Sequence, residues 1–545
     1  MTRTASLNAY VAAGAITAGD VAAATMLVEL ARTHGAGDPE QLAWVAMCLA
    51  LRTPRDGHTC VDLDQIADWA GDIDLAATAS LPWPGDAASW RRALAKAPAL
   101  VGSSHERRPF ILDGNRLYLA RSLDEERGIA TLLIQDNAAR VSVLLGGPGT
   151  GKTTQVARQL IERFSMADRP QIALAAPTGK AAARMTEALK NRCAAAKAPQ
   201  QVFDAIDAAP AITIHKLLGY GPHRTPRFKF GPDNPLTYDL VVVDEASMLS
   251  SSLMYRLLAA LSKDTHLLLV GDPDQLASVD AGSVLADIAS SAARAGSALH
   301  SRTTTLMERH RFGADIGKLA DAILAGSPAE TLAVLTAGLD AVTWIEPGQD
   351  RVAAVAAEVG AHASHLRNLA AGGDAAAVLE AQKRLQVLCA HRDGPTGVSG
   401  WNARIEKGLG MLAGDSWYPG RPVMVTRNNR ALKLFNGDAG IVIPAAGDRM
   451  EAVFGQPGSM LRVPVTRLED VATMHAITIH KSQGSEYGHA IVVLPEARSR
   501  LLTRELLYTG VTRAVDKVTV IGSREVIEAA VSHPIRRASG LASRL

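Results

Sequence analysis

Short runs of consecutive apolar residues recur through the middle of the chain, and each ends in a glycine, an acid or a polar turn. Runs of this length without polar alternation are typical of strands that are buried on both faces. Stretches with apolar residues at helical spacing separate them, so we predict a parallel sheet with crossover helices from Val141 to about Ala289. Its predicted strands are Val141–Leu145, Ile172–Ala176, Leu240–Val243 and Leu267–Val270.

A second series of apolar runs follows an alanine-rich helical stretch at Val352–Leu385. Its clearest predicted strands are Leu385–Ala390, Ala490–Leu494 and Lys517–Ile521. The segment Pro422–Val465 lies inside this series and is rich in β-formers and turn residues. The pattern predicts a small β-barrel inserted into a second α/β core.

The first hundred or so residues have apolar positions at helical spacing, for instance at Val21–Arg32 and Gln41–Leu51. Two short apolar runs around Asp113-Gly114-Asn115 predict a hairpin. We therefore predict an α/β protein of three domains. They are a helical docking domain at 1–108, a first core at 109–335 with a short insert at 219–238, and a second core at 336–545 with the β insert at about 415–470.

The composition indicates a globular protein, since 47% of the 545 residues are hydrophobic and 21% are charged. No apolar run reaches the roughly 20 residues that cross a membrane. The first residues lead into no signal-peptide core, so we expect a cytoplasmic protein. The four cysteines are scattered without Cys-x-x-Cys pairs, which argues against zinc and disulfides. The net charge is only +2, so any nucleic-acid binding must come from locally placed groups.

The segment Gly146–Thr153 follows the first predicted strand directly and fits the phosphate-binding pattern G-x-x-x-x-G-K-[ST]. Its glycines let backbone N–H groups point at phosphate oxygens, and the helix expected after it adds partial positive charge. Lys152 would reach the β- and γ-phosphates, and the Thr153 hydroxyl would bind Mg²⁺. A chance glycine-rich turn would not explain the strand before and the helix after. We predict that a nucleoside triphosphate is bound by Gly146, Gly147, Pro148, Gly149, Thr150, Gly151, Lys152, Thr153 and Thr154.

Acidic and amide side chains follow two further predicted strands. Asp244 and Glu245 come directly after Leu240–Val243. Asp244 would hold the Mg²⁺ shell, and Glu245 would orient and deprotonate the attacking water. Gln275, in the turn Gly271–Leu276, can hydrogen-bond both the γ-phosphate and that water. The alternatives are a solvated acid pair and an ordinary Asp-Pro turn, and the phosphate loop upstream argues against both.

An ordered set of further motifs completes the pattern: Ala176–Met185, Thr213–Leu218, Met307–Phe312, Leu434–Asp438, Thr478–Glu486 and Leu507–Ala514, with weaker matches at Gly57–Leu63 and Leu112–Leu119. Together with the segments above, they resemble superfamily 1 helicases. In form and order they resemble the RecD family, the α subunits of RecBCD (exodeoxyribonuclease V) complexes. The resemblance covers nearly the whole chain and is strongest from Val141 to Ala514.

The resemblance implies two RecA-like motor domains with ATP and Mg²⁺ in the cleft between them, and an SH3-like β insert. An arginine facing the γ-phosphate across the cleft neutralises transition-state charge, an effect worth roughly 10³–10⁵ in rate. Two features depart from the family: no obvious adenine-contacting glutamine precedes the phosphate loop, and His310 stands where the family commonly has Tyr. The implied catalytic residues are Lys152, Asp244, Glu245, Gln275, Arg311 and Arg513, and the implied Mg²⁺ ligands are Thr153 and Asp244.

The resemblance also implies DNA contacts, which should go mainly to backbone phosphates because a motor must pass any sequence. A packed core histidine is the ordinary interpretation of His215 or His480 alone, and the motif context favours DNA. The insert Tyr220–Tyr238 occupies the place of the projection that splits the duplex in related helicases. The predicted DNA contacts are Pro177, Thr178, Gly179, Arg184, Thr213, His215, Asn436, His480, Lys481, Ser482 and Gln483.

The implied function is that of an ATP-dependent 5′→3′ single-stranded DNA translocase or helicase that serves double-strand-break processing and recombinational repair. A RecB-like helicase-nuclease partner would carry the nuclease site, and a RecC-like partner would dock on the helical N-terminal region. Two alternatives stay open: a stand-alone RecD-like helicase, which carries longer N-terminal DNA-binding modules, and an ATP-dependent scaffold or clamp that does not translocate. A relaxase-helicase fusion is rejected, because the first hundred or so residues lack a histidine cluster.

Overall fold

The structure is a computed structural model, and it describes residues 3–66, 81–103, 105–134, 141–166, 170–209, 211–221, 228–308, 313–411, 417–429, 431–447, 449–456, 459–497 and 499–545. No helix in these ranges is long and apolar enough to cross a bilayer.

The N-terminal region combines helices with a small sheet. The helices are Arg3–Ala12, Ala18–Thr33, Gln41–Arg52 and Ala87–Ala95. The strands are β1 (Cys60–Asp62), β2 (Val101–Gly102), β3 (Phe110–Asp113) and β4 (Arg116–Leu119), in the spatial order β1-β4-β3-β2.

The predicted hairpin is present as β3 and β4, but it belongs to the N-terminal region. Strand β4 pairs antiparallel with β1, and Phe110 and Leu117 are buried in the same cluster as the N-terminal helices. The predicted boundary at residue 108 therefore cuts through a sheet. A pairing between strands that lie more than fifty residues apart leaves no local trace in the sequence.

The first α/β core is built on a six-stranded sheet whose strands are all parallel. Its four predicted strands are confirmed, and two short edge strands, β7 and β10, are added. The strands are β5 (Val141–Gly146), β6 (Ile172–Ala176), β7 (Ala211–Thr213), β8 (Leu240–Val243), β9 (His266–Gly271) and β10 (Thr303–Leu306), in the order β10-β5-β9-β8-β6-β7. The helices are Ala120–Ile134, Lys152–Met166, Gly179–Ala195, Gln200–Ala208, Ile214–Leu217, Ser251–Ala259 and Val284–Ala292.

The remaining strands, in chain order, are β11 (Val342–Ile345), β12 (Leu385–Cys389), β13 (Pro422–Val425), β14 (Ala439–Ala445), β15 (Arg449–Gln456), β16 (Ser459–Pro464), β17 (Val471–Thr473), β18 (Ala476–Thr478), β19 (Tyr487–Val493) and β20 (Ala514–Ile521). The helices among and after them are Ala314–Leu324, Pro328–Thr336, Gln349–Ala371, Ala375–Gln382, Val398–Gly408, Arg504–Val511, Arg524–Ser532 and Leu541–Arg544.

These strands form two separate sheets. A five-stranded parallel sheet, in the order β11-β20-β19-β12-β18, is the base of the second core. The predicted β insert is a five-stranded antiparallel sheet, in the order β16-β15-β14-β13-β17. The insert has its own buried cluster, which includes Val442 and Phe454. Its edge strands β16 and β17 are not paired with each other in the described residues, so it is an open sheet there and not the closed barrel that we predicted.

The last residues of the chain return from the second core to the first. Leu541 is fully buried within the cluster of the first core. Arg537 donates through Nη1 to the Gly282 carbonyl at 2.9 Å, and the Ala538 carbonyl accepts from Thr59 N–H at 3.0 Å. We call residues 537–545 the C-terminal segment. The sequence interpretation placed it in the second core.

Candidate nucleotide and nucleic-acid site

A cavity of about 450 Å³ lies between the two cores and collects most of the predicted nucleotide residues. The first core contributes the loop after β5, the acids after β8 and Gln275 after β9. The second core contributes Gly484, Glu486 and Arg513. Of the residues predicted for nucleotide, metal and catalysis, the cavity is lined by Pro148, Gly149, Thr150, Gly151, Lys152, Thr153, Thr154, Asp244, Glu245, Gln275 and Arg513.

The loop after β5 has a backbone that only glycine supports at several points. Gly149 and Gly151 have φ values of 80° and 85°, in the left-handed region. A Cβ on Gly146 would lie 2.5 Å from Thr150 Oγ1. The Lys152 ammonium group donates to the Gly146 carbonyl at 2.6 Å and so lies folded over the loop. The helix that starts at Lys152 presents its N-terminus to the cavity, which favours an anion there.

Two acids stand at the end of β8. The Glu245 N–H donates to Asp244 Oδ1 at 2.9 Å. Burial and the neighbouring Glu245 carboxylate raise the pKa of Asp244, and Lys152 acts in the opposite direction. Glu245 has φ 52° and ψ 40°, a left-handed conformation that is costly for a non-glycine residue and is often found at functional sites.

Gln275 is held by a buried network that joins the two cores. Its Nε2 donates to Asp272 Oδ2 at 3.1 Å, and the Tyr508 hydroxyl of the second core donates to the same oxygen, also at 3.1 Å. Burial raises the pKa of Asp272. The Gln275 Oε1 atom is buried and has no hydrogen-bond partner among the described residues. An orphaned acceptor beside this cavity fits a donor supplied by a bound molecule, such as water.

The sequence interpretation missed Asp272 and Tyr508 as members of the site. Both lie within motifs that it used, Asp272 three residues before Gln275 and Tyr508 five residues before Arg513. Their role depends on contact between the cores, which no spacing along the chain expresses.

Arg513 reaches the cavity from the second core. Its side chain is almost fully buried, with Nε donating to the Thr509 carbonyl at 3.2 Å and Nη1 to the Ser485 carbonyl at 3.3 Å. Burial lowers the pKa of Arg513, and the Glu245 carboxylate opposes that shift. The other predicted arginine, Arg311, lies outside the described residues.

The donor set fits a nucleotide with Mg²⁺. The loop offers backbone N–H groups and a lysine, while Thr153 and Asp244 offer the hard oxygen ligands that Mg²⁺ prefers. The unpaired acceptor of Gln275 lies at the same cavity. These groups come from three different strand ends, so the arrangement depends on the parallel sheet.

An identical hexapeptide, Ala-Ile-Thr-Ile-His-Lys, occurs at 211–216 in the first core and at 476–481 in the second. In each case an edge strand leads into a short helix, and the threonine hydroxyl, on Thr213 or Thr478, accepts from the backbone N–H of the lysine. Lys216 and Lys481 are both exposed. We predicted Lys481 but missed Lys216, although the repeated segment would have identified it.

Three of the residues predicted to contact DNA instead bond within the protein or line the nucleotide cavity. Ser482 is fully buried, and its hydroxyl donates to the Ile479 carbonyl at 2.7 Å. The Gln483 amide donates to the Leu276 carbonyl of the first core at 3.0 Å. Arg184 lines the nucleotide cavity. The partners of Gln483 and Arg184 thus lie across the junction between the cores, whereas Ser482 is bonded within its own core.

The other predicted DNA residues are at least partly exposed: Pro177, Thr178, Gly179, Thr213, His215, Asn436, His480 and Lys481. Thr178 begins the helix Gly179–Ala195, and its hydroxyl accepts from the Ala181 N–H at 3.2 Å. A Cβ on Gly179 would lie 3.5 Å from the Phe435 ring of the β insert. Burial lowers the pKa of His480. Of the insert Tyr220–Tyr238, residues 222–227 lie outside the described ranges.

Two α/β cores that share a cavity with a phosphate loop, an acidic pair and an arginine define the class: a two-core P-loop ATPase of the helicase type. Family profiles agree along the chain. An AAA domain profile matches residues 131–281, a UvrD-like helicase C-terminal domain matches 473–521, and the profile "RecBCD enzyme subunit RecD, N-terminal domain" matches 12–118.

Similar proteins of known name show which family within this class the chain resembles. The RecBCD enzyme subunit RecD of Mycolicibacterium smegmatis is 42% identical over 94% of this chain and 95% of that protein. The protein of the same name from Mycobacterium tuberculosis is 40% identical over 99% and 96%. The ATP-dependent RecD2 DNA helicase of Deinococcus radiodurans is 34% identical over 74% of this chain but only 49% of that protein. The chain therefore belongs to the RecD family of ATP-dependent DNA helicases.

Proposed function

We propose that this chain is the 5′→3′ DNA motor subunit of a RecBCD-type complex that processes double-strand breaks in the cytoplasm. The observation that carries the proposal is the cavity to which both cores contribute charged side chains. A site divided in this way changes shape whenever the cores move relative to each other. Hydrolysis can then drive alternate gripping of a DNA strand.

We assign the catalytic roles by position in the cavity. Lys152 and the loop N–H groups bind the phosphates, and Thr153 and Asp244 hold Mg²⁺. When bound, Mg²⁺ supplies charge neutralisation at the phosphate oxygens. Glu245 accepts the proton of the attacking water, and Arg513 stabilises the charge that develops on the γ-phosphate. Gln275 orients that water through its unpaired Oε1. Arg311 keeps the role that the sequence predicts.

We propose that single-stranded DNA crosses both cores on equivalent edges. The repeated hexapeptides place Lys216 and Lys481 at corresponding sheet edges, and both side chains are exposed. Asn436 on the β insert and the start of helix Gly179–Ala195 extend this surface. Contacts of this kind bind the phosphate backbone, which suits a motor that must move along any sequence.

Membership of a heterotrimer with RecB-like and RecC-like partners is favoured over a stand-alone helicase. The mycobacterial RecD subunits are 42% and 40% identical to this chain, whereas the Deinococcus RecD2 helicase is 34% identical. The N-terminal region that matches the RecD profile is our candidate for the surface that docks on a partner. Recovery of the chain alone from a native lysate, without a large helicase-nuclease partner, would contradict this assignment.

The motor assignment is tested with Lys152→Ala in the reconstituted complex. We expect loss of unwinding on 5′-tailed duplex DNA and retention on 3′-tailed DNA, because only this subunit's motor is disabled. Lys190→Ala is the matched control, since Lys190 is on a helix of the same core and pairs with Asp207 away from the cavity. Unchanged unwinding of the 5′-tailed substrate by the Lys152→Ala complex would refute the motor role.

A further inference from the structure

Arg184 lies in the nucleotide cavity and connects the two cores. It projects from helix Gly179–Ala195 of the first core, and its Nη1 donates to the Gly484 carbonyl of the second core at 2.8 Å. Its Nη2 forms an ion pair with the Glu486 carboxylate. The Arg184 and Glu486 side chains are 34% and 18% exposed, so the pair is partly shielded from water. One guanidinium group thus holds two points of the same short segment.

The segment that Arg184 holds is also held from the other side. Arg513 donates through Nη1 to the carbonyl of Ser485, the residue between the two that Arg184 contacts. The Arg513 carbonyl in turn accepts from the Tyr487 N–H at 2.9 Å. Any displacement of segment 484–487 would therefore displace Arg513 as well. Polar contacts therefore run without a break from Arg184 of the first core, through segment 484–487, to Arg513 of the second core.

Two simpler roles for Arg184 agree less well with these contacts. As a DNA contact it would have to leave Gly484 and Glu486 and turn out of the cavity. As a phosphate ligand it would first have to give up Glu486, which already neutralises its charge. Its planar group instead makes two contacts through two different nitrogens, Nη1 and Nη2, a geometry that a lysine's single ammonium nitrogen does not reproduce.

We propose that Arg184 is a positioning residue: it sets the place of Arg513 relative to the phosphate loop by holding Gly484 and Glu486. The inference rests on the proposed function, because it assigns Arg184 a role in the hydrolysis that Arg513 assists. Arg184 acts through Arg513 and touches neither the nucleotide nor the DNA. A transition-state contact that depends on geometry loses much of its value when it is misplaced by about 1 Å.

The test measures kcat and KM for ATP hydrolysis with saturating single-stranded DNA, in a purified complex whose RecB-like motor has been inactivated by substitution of its phosphate-loop lysine, so that this subunit alone hydrolyses ATP. Arg184→Gln should lower kcat on the order of 10-fold, since misplacement of a catalytic group by about 1 Å can cost up to about 10²-fold. The KM for ATP should change by less than about 3-fold, because ground-state binding is preserved. Arg184→Lys should recover only part of kcat. The double variant Arg184→Gln/Arg513→Gln should be no slower than Arg513→Gln alone.

Lys190→Gln, on the same helix, is the control and should leave both constants unchanged. Glu486→Gln breaks the same ion pair from the second core and should reproduce the loss in kcat, which keeps the proposal testable if Arg184→Gln does not fold. A raised KM with normal kcat, an unchanged kcat, or additive losses in the double variant would each overturn the proposal. If instead Lys152→Ala and Arg513→Gln hydrolyse ATP normally, the proposed function itself fails.

Discussion

At the scale of single residues, Glu245 combines a strained backbone with a charged environment. Its backbone is left-handed, with φ 52° and ψ 40°, and it lies two residues after the end of the buried strand β8. Electrostatic attraction links its carboxylate to Arg184 and Arg513. The strained backbone places a carboxylate at the cavity, where hydrolysis requires a proton acceptor. The packing of the surrounding structure offsets the free energy of this strain.

Glu245→Gln should abolish most hydrolysis while nucleotide binding persists. The amide cannot accept a proton, and loss of a general base costs roughly 10²–10⁴ in rate. The measurement is steady-state ATP hydrolysis together with equilibrium binding of a fluorescent, non-hydrolysable ATP analogue. Hydrolysis within a few-fold of the parent rate would show that another group takes the proton.

The backbone contribution of Glu245 can be separated from its charge with two further variants. Glu245→Gly and Glu245→Ala both remove the carboxylate, but glycine adopts a positive φ freely. The free energy of unfolding of Glu245→Gly should therefore exceed that of Glu245→Ala by on the order of 1 kcal/mol, so the glycine variant should unfold at the higher temperature. Equal unfolding temperatures would mean that the left-handed conformation costs nothing.

At the scale of elements, the repeated hexapeptide predicts matched contributions from the two cores to DNA binding. Lys216→Ala and Lys481→Ala should each weaken binding of single-stranded DNA. Each should also reduce the slope of log affinity against log salt by about 0.7, the value for one phosphate contact on a single strand. Fluorescence anisotropy at several salt concentrations measures both quantities, with Lys190→Ala as control. A slope that only one of the two variants changes would contradict equivalent roles.

Elements with a long apolar run were predictable, and the edges of the sheets were not. Strands β5, β6, β8 and β9 are almost wholly buried, so their sequences are apolar except at the half-buried Ser142 and His266. Strand β10 reads Thr-Thr-Thr-Leu with its middle residues exposed, and β7 has only three residues. An edge strand needs apolar side chains on fewer sides, and its pairing is fixed by the neighbouring strand.

The residues of the candidate site also fall into two groups. Short local patterns identify the first group, whereas the contacts of the second group involve distant parts of the chain. The phosphate loop and Asp244-Glu245 follow their strands directly, so short patterns identify them. Arg184 and Gln483 were assigned to DNA because of their motifs, but their partners lie in the opposite core. Arg184 and Gly484 are separated by 300 residues. No spacing rule relates residues across such a distance.

At the scale of the whole molecule, the C-terminal segment ties the N-terminal region to the first core through a buried acid, Glu126. This carboxylate is fully buried and accepts from the Tyr118 hydroxyl at 3.1 Å and from the Gly540 N–H at 3.2 Å. The Ser539 hydroxyl donates to Glu126 at 3.1 Å and also lies 3.0 Å from the Asp287 carboxylate. Two acids of the first core thus share one serine of the C-terminal segment.

This arrangement makes the stability of the molecule depend on pH near neutrality. Burial, and to a smaller degree the Glu126 carboxylate, raise the pKa of Asp287 to about 7, while the Ser539 hydrogen bond and Arg116 oppose the shift. The folded protein therefore keeps a proton on Asp287 that the unfolded chain releases near the ordinary pKa of an aspartate, about 3.9. The stabilisation is complete below that value and is lost as the pH rises through about 7.

Asp287→Asn should remove this dependence, because the amide is uncharged at every pH and can still accept from Ser539. We expect the variant to unfold at or below the parent temperature at about pH 5.5 and a few degrees above it at about pH 8.5. Thermal unfolding followed across this range measures the difference, with Asp264→Asn as the control because Asp264 is exposed. A difference that stays constant with pH would mean that Asp287 is already ionised in the fold, and the C-terminal segment would then be held without a bound proton.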